Sequence, residues 1–365
     1  MAETAAALVL TEPGHLAARE FALTALAPGA AWLRVEACGL CGTDHEQFSG
    51  ALPIGAPFIP GHEIVGTIER ITDEARLARG LDEGARVAVE VFQSCGVCAA
   101  CRQGATMFCE RHGLRDMYGA TPVDVAPGLW GGYATHAVLP ADARVHRVPA
   151  SLDPVGATLF NPLGAGLRWA VTLPGLAPAA VVAVLGPGIR GLCAVVAARR
   201  AGAAFVLLTG AGARDEQRLA LGRGLGAHPV DVTVQDPVAV LRREAGQLAD
   251  VVVDVTAAAP EAFPQALALA RSGGTVVIAG TRGQAAVERF NPDGLVFKEL
   301  RLLGARGVDG AAYADALRLL ADDDELRRVP ARVVTTEPDA VAHLLHDMAH
   351  AADRPVRAVV VPPTV

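Results

Sequence analysis

Six short apolar runs, centred near Ala183, Leu207, Val230, Val253, Val277 and Leu302, recur about every two dozen residues, the spacing of one parallel strand plus its crossover helix. Runs such as Val181 to Leu185 and Val251 to Val253 are continuous rather than alternating, as in strands buried on both faces of a sheet. The segments between them, for instance Leu219 to Leu225 and Pro264 to Arg271, have helical spacing. Six such strands complete a doubly wound domain. A chain of 365 residues is too long for one ordinary core, so a second domain is expected.

Gly186-Pro187-Gly188-Ile189-Arg190-Gly191 follows the first of these strands and opens an apolar helix at Leu192. In that setting the first glycine makes the turn, the second admits a pyrophosphate to the backbone and the third lets the helix pack on the strand. The helix N-terminus adds partial positive charge. At the tip of the next strand, Thr209-Gly210-Ala211-Gly212-Ala213-Arg214-Asp215 offers a small uncharged turn with an arginine close behind. NAD binding would favour an acidic residue for the ribose 2′-hydroxyl at the tip, so Thr209, Gly210 and Arg214 lean towards NADP(H). The alternative is a solvated Arg214, with Asp215 or a backbone group holding a 2′-hydroxyl.

The first third of the chain is β-rich. Leu33, Val35 and Ala37 alternate with polar residues, Ile64 to Ile71 is β-branched, and Arg86 to Val91 alternates again, all bounded by Pro and Gly turns. Cys41-Gly42-Thr43-Asp44-His45-Glu46 and Gly61-His62-Glu63 fall on loops beside such strands, where functional groups usually sit. Their thiol, imidazole and carboxylates form a donor mixture suited to zinc. Cys95, Cys98, Cys101 and Cys109 are packed so closely that their thiolates would repel one another without a cation between them. A closed tetrahedral Cys₄ zinc is structural. Cys38 and Cys193 are expected to be core residues. After Arg306 a helical segment (Ala311 to Ala321) and two β-branched stretches, Val329 to Thr335 and Val356 to Val361, revert to the character of the first third.

A formal charge of −7 and a pI near 5.8, with no Lys/Arg block, argue against a nucleic-acid or anionic-membrane surface. Met1 to Ala30 lacks a basic start and an apolar core, and the uncharged run Trp169 to Ile189 is interrupted by six prolines and glycines, so neither a signal peptide nor a membrane helix is expected. Seven cysteines, four of them at metal spacing, do not suggest a disulfide framework. The expectation is a cytoplasmic protein with small-molecule partners.

Together the Cys-Gly-Thr-Asp loop, Gly-His-Glu, the four-cysteine lobe, Gly131-Gly132-Tyr133, the glycine turn and the returning tail resemble, in order and over nearly the whole chain, the zinc-dependent alcohol dehydrogenases of the medium-chain dehydrogenase/reductase family. The resemblance implies an α/β protein with two domains and the active site between them. One is a GroES-like, β-rich catalytic domain (1–162 and 306–365, structural zinc lobe 93–112). The other is a Rossmann domain (163–305) with a doubly wound parallel six-stranded sheet. It implies dimers or tetramers. Carried over residue by residue, Cys41 and His62 would ligate a catalytic zinc, Asp44 would orient His62, and Thr43 would take the alcohol proton. Cys95, Cys98, Cys101 and Cys109 would hold the structural zinc.

Two departures stand out. The family's third protein ligand falls at Asn161, whose neutral amide is a poor zinc ligand, so either Asn161 coordinates through its oxygen or Glu63 completes the site. Glu63 is favoured because two anions then balance the metal. Where the family often places a relay histidine there is Glu46, with His45 one step early, so either could carry the proton. The implied reaction is reversible hydride transfer between a secondary alcohol, polyol or aldehyde and NADP or NAD. Trp130, Phe92 and Phe160 are candidate pocket walls. Two rivals are a quinone or enoyl reductase of the same superfamily without catalytic zinc, and a non-enzymatic NADP-binding scaffold.

Overall fold

Ala31–Leu40 is the strand on which the first sheet is built, because both of its edges are paired. One edge takes Glu63–Ile71 antiparallel along nearly its whole length. The other takes His136–Leu139 beside Ala31 to Arg34 and Arg357–Val361 beside Cys38 to Leu40. Arg86–Val89 and Val145–Arg147 extend the sheet on one side, and Ala331–Thr335 closes the other. Leu33, Val35, Ile64, Ile68 and Val87 fill its core with Tyr118 and Tyr133. Replacing Ile64, which is fully buried, with Ala would cost about 2–5 kcal/mol.

In this computed structural model the described residues are 3–363 except 54, 56, 258, 283–286, 288–289 and 352–353; the side chains of 349 and 350 also lie outside them. They divide into two units, Met1–Asn161 with Asp309–Val365, and Pro162–Val308. The first unit includes the helices Gly310–Asp322 and Pro338–His350 and the strands Ala331–Thr335 and Arg357–Val361, the latter two paired into its sheet.

An antiparallel hairpin, Thr4–Glu12 with His15–Ala22, precedes the sheet and was not anticipated from sequence. Its residues are largely alanine and leucine, which carry little strand signal, and Pro13-Gly14 makes the turn, with Gly14 at φ +79°.

The second unit holds a parallel sheet in the order 228–231, 205–210, 181–185, 249–254, 270–278, 301–304. All six expected strands are present, and Val181–Leu185 and Ala249–Asp254 occupy the centre, buried as their unbroken apolar runs require. The order reverses between those two strands, the position at which doubly wound sheets bind ligands beyond their carboxyl ends. Lys298, the only lysine in the chain, caps the helix Ala262–Leu269 by donating to the carbonyls of Leu267, Ala268 and Ala270 at 2.8–3.1 Å.

Candidate active site

Cys41 sits at the N-cap of the short helix Gly42–Phe48, and His62 immediately precedes the Glu63–Ile71 strand. Asp44 joins the two loops. Its Oδ2 accepts the Cys41 amide at 2.9 Å and its Oδ1 accepts the Gly61 amide at 3.1 Å. Asp44 does not bond the imidazole directly, since Oδ1 stands 3.8 Å from His62 Nδ1. It orients His62 by fixing the backbone that carries it and by its charge. With the loops held so, His62 Nε2 lies 3.2 Å from Cys41 Sγ.

Glu63 joins this pair. One donor atom from each of Cys41, His62 and Glu63 lies within 4.8 Å of the others, and all three residues are buried. Its carboxylate occupies the space where Gly39 lacks a side chain; a Cβ on Gly39 would stand 2.3 Å from Glu63 Oε2. The site favours positive charge. Burial alone would lower the pKa of His62, but the charges of Cys41, Asp44 and Glu63 outweigh it and lift the value to about 10. A thiol, an imidazole and a carboxylate converging where a cation is favoured fit Zn²⁺.

Asn161 is buried and its amide nitrogen donates to the Tyr313 hydroxyl at 3.2 Å. Tyr313 lies on the returning segment, 152 residues away, so no local pattern pointed to it. Among the remaining candidates, His45 Nδ1 donates to the Leu345 carbonyl at 3.0 Å. Thr43 and Glu46 are half-buried on the same helix. The aromatic residues considered as pocket walls are all buried. Trp130 donates to Val125 and lies against Tyr118, Phe160 is fully buried against Tyr313, and Phe92 packs with Val91 and Met107.

The four lobe cysteines converge as a second cluster, with one sulfur from each within 4.8 Å of the others. Main-chain amides face the sulfurs, Cys95 N to Cys109 Sγ at 3.4 Å and Cys101 N to Cys98 Sγ at 3.5 Å. Burial opposes ionisation of Cys109, but the amides of Cys95, His112 and Arg111 bring its pKa down to about 6. Amides of Glu110 and Cys101 lower that of Cys98. Burial pushes Cys101 up to about 11. A cation bound by all four sulfurs would overcome that last cost. These two clusters are the ones found among the described residues.

In the second unit, Gly186 turns at φ +102° out of the Val181–Leu185 strand and the helix Ile189–Arg200 begins after Gly188. Gly191 admits no side chain, since its Cβ would stand 1.9 Å from the Gly186 carbonyl oxygen. Arg190, in the first helical turn, lies over the Trp169 ring at 5.3 Å. At the tip of Phe205–Gly210 the carboxylate of Asp215 is turned onto its own loop, accepting the Ala211 amide at 2.9 Å, while Arg214 is exposed.

Two family models cover most of the chain: the alcohol dehydrogenase GroES-like domain matches residues 27–150, and the zinc-binding dehydrogenase domain matches 191–322. A Mycobacterium tuberculosis H37Rv protein named probable alcohol dehydrogenase adh is 55% identical over 361 residues, 98% of each chain. The sorbitol dehydrogenase of Halalkalibacterium halodurans is 29% identical, covering 90% of this chain and 91% of its own. A solved zinc-binding dehydrogenase-type protein of Sinorhizobium meliloti 1021, bound to NADP, superposes with a TM-score of 0.82 at 29% identity, covering 99% of this chain and all of its own. No helix among the described residues is long and apolar enough to cross a membrane. With both domain models matched in order and a full-length relative at 55% identity, the chain belongs to the zinc-binding alcohol dehydrogenases of the medium-chain dehydrogenase/reductase family.

Proposed function

We propose that this protein is a zinc-dependent, NADP(H)-preferring dehydrogenase that interconverts a secondary alcohol or polyol with its carbonyl compound, or an aldehyde with its alcohol. The observation that carries the reading is the convergence of Cys41, His62 and Glu63. These three residues would hold the catalytic zinc. Asn161, whose neutral amide is a poor zinc ligand and whose nitrogen donates to Tyr313, is left outside this ligand set. Cys95, Cys98, Cys101 and Cys109 would hold a second, structural zinc. Bound at the first site, zinc supplies Lewis acidity that makes an alcohol hydroxyl easier to deprotonate before hydride leaves its carbon.

The chain's own groups do the rest. Thr43 would take the hydroxyl proton, and His45, whose Nδ1 donates to the Leu345 carbonyl, or Glu46 would pass it on to solvent. Asp44 keeps the Cys41 and His62 loops in register throughout. The turn Gly186 to Gly191 receives the pyrophosphate at the helix N-terminus. NADP is favoured over NAD because Asp215 faces inward while Arg214 is exposed to meet a 2′-phosphate. Residues 162–308 carry 15 Arg and Lys against 11 Asp and Glu, whereas the rest of the chain carries 17 against 28, so the cationic unit is the one suited to an anionic dinucleotide.

The protein would act in the cytoplasm as a homodimer or homotetramer. The edge strand Arg301–Gly304, with Leu302 and the neighbouring Val296 and Phe297 exposed, is the surface that favours self-association. The reading is tested by zinc analysis of the purified protein together with a screen of alcohols, polyols and aldehydes against NADP(H) and NAD(H), following the reduced nicotinamide. Two zincs per chain and turnover with a member of the panel are expected. One zinc per chain, or no turnover with either cofactor, would overturn it.

A further inference from the structure

Asp254 is the last residue of the Ala249–Asp254 strand, fully buried, and it pairs with Leu185 where the order of the parallel sheet reverses. Its carboxylate serves two loops. Oδ1 accepts the Thr256 amide at 3.0 Å and the Thr256 hydroxyl at 2.6 Å, and Oδ2 accepts Nη2 of Arg282. The side chain of Arg282 is only 9% exposed, and its other nitrogens donate to the backbone, Nε to the Ala259 carbonyl at 3.3 Å and Nη1 to the Gly280 carbonyl at 3.2 Å. One guanidinium thus ties the end of Ala249–Asp254 to the loop that follows it and to the loop that follows Ala270–Ile278.

These contacts lie directly behind the glycine turn. A Cβ on Gly186 would stand 3.2 Å from Thr256 Cγ2 and 3.4 Å from the Thr256 nitrogen, and one on Gly280 would stand 1.9 Å from the Thr256 carbonyl oxygen. Thr256 is therefore packed between two glycines, with the Val255 amide bonded to the Leu185 carbonyl at 3.0 Å. Burying two charges carries a desolvation cost that apolar side chains of the same volume avoid, so stability is a poor account of the Asp254–Arg282 pair. What a planar fork does supply is geometry, because it holds several acceptors in fixed relation at once.

We propose that Arg282, acting through Asp254 and Thr256, is a positioning residue for the dinucleotide. It holds Thr256 against Gly186 and so fixes the turn that receives the pyrophosphate. Arg282 and Arg214 belong to loops on opposite sides of the Val181–Leu185 strand, so Arg282 serves NADP(H) and NAD(H) alike whereas Arg214 distinguishes them. The inference rests on Gly186 to Gly191 being the cofactor turn, and it adds a determinant of affinity that lies beneath the crevice rather than in it.

The test measures dissociation constants for NADPH and NADH by fluorescence titration of zinc-loaded wild type, Arg282→Lys and the double variant Asp254→Asn/Arg282→Met. Lysine keeps the charge beside Asp254 but lacks the fork, and the double variant leaves no carboxylate buried alone. Melting curves set a temperature at which every protein assayed is folded, so that lost affinity is not lost protein. In each variant both constants are expected to rise by a common factor of about 3- to 30-fold, with the zinc content of wild type. A folded double variant that binds both nucleotides as tightly as wild type would make the pair a structural bolt and overturn the inference. Weakening confined to NADPH would place Arg282 at the 2′-phosphate and overturn it as well. Should the double variant not fold, Arg282→Lys carries the comparison, and unchanged constants in it are sufficient to overturn the inference. A wild type that binds neither nucleotide would overturn the functional reading and the inference together.

Discussion

Cys41 Sγ stands 3.2 Å from His62 Nε2, although the two residues lie 21 positions apart, on loops that the carboxylate of Asp44 joins through two backbone amides. The lobe cysteines form a separate cluster, so the two metal positions can be lost independently. Cys41→Ser should bind one zinc in place of two and lose turnover, with a melting curve close to wild type. Cys98→Ser should leave three sulfurs around a structural metal and aggregate or melt far lower, in the manner of lost structural zinc sites. Zinc analysis and calorimetry on both variants check this. Matching behaviour of the two would contradict the assignment of separate catalytic and structural roles.

The raised pKa of His62 predicts a pH dependence with a definite sign. Its value of about 10 in the metal-free fold exceeds the ordinary 6.5, so the proton it holds stabilises the fold fully below about 6.5. That contribution fades as pH climbs through about 10. Zinc displaces the same proton. Uptake of the catalytic zinc should therefore release protons at neutral pH, and its apparent affinity should rise with pH up to about 10. Calorimetric titration in buffers of different ionisation enthalpy measures the release, and an affinity unchanged between pH 7 and 9 would refute it.

Gly39 is predicted to control metal binding without touching metal. A methyl group there would stand 2.3 Å from Glu63 Oε2 and push the carboxylate aside. Gly39→Ala should weaken retention of the catalytic zinc by about 10- to 100-fold, with an overpacking cost of about 1–3 kcal/mol. Adding Glu63→Asp, which shortens the displaced side chain, should recover part of the stability. Strictly additive losses in this cycle would show that the two positions are not coupled.

Cofactor choice should depend on Arg214. Arg214→Gln removes a charge-assisted contact to a 2′-phosphate and leaves the rest of the dinucleotide site alone. The NADPH dissociation constant should rise about ten-fold or more while that for NADH changes little, as expected for a lost hydrogen bond to a charged group. Fluorescence titration with both cofactors reads the ratio. Equal weakening of the two would place Arg214 elsewhere than at the 2′-position.

Self-association through the Arg301–Gly304 edge predicts that Phe297→Asp lowers the assembly state. Phe297 is 84% exposed and Val296 71%, so a charge there disturbs little inside the protomer. Light scattering after size exclusion should show a smaller assembly than wild type, and an unchanged mass would point to another surface.

The parallel strands could be read from sequence because burial on both faces leaves unbroken apolar runs, and the centres near Ala183, Leu207, Val230, Val253, Val277 and Leu302 all fall in strands. The hairpin Thr4–Glu12 and His15–Ala22 could not, since alanine-rich strands lack the β-branched signature. At the site, residue types pointed to Cys41, His62 and Glu63, but not to Asp44 bonding two backbone amides rather than the imidazole. The close approach of Glu63 to Gly39 exists only in the fold, where strand pairing brings the two together. Tyr313 reaches Asn161 from 152 residues downstream, a tertiary contact with no local signal.

With a single lysine whose ammonium is bound to three carbonyls, this chain offers amine-directed reagents one internal target, and that target is shielded while the Ala262–Leu269 helix keeps its end. Acylation of Lys298, followed by mass spectrometry, would therefore clock the opening of that helix terminus against a background otherwise free of side-chain amines. An ε-amine that reacts at the rate of a free peptide lysine would show that the cap is undone in solution.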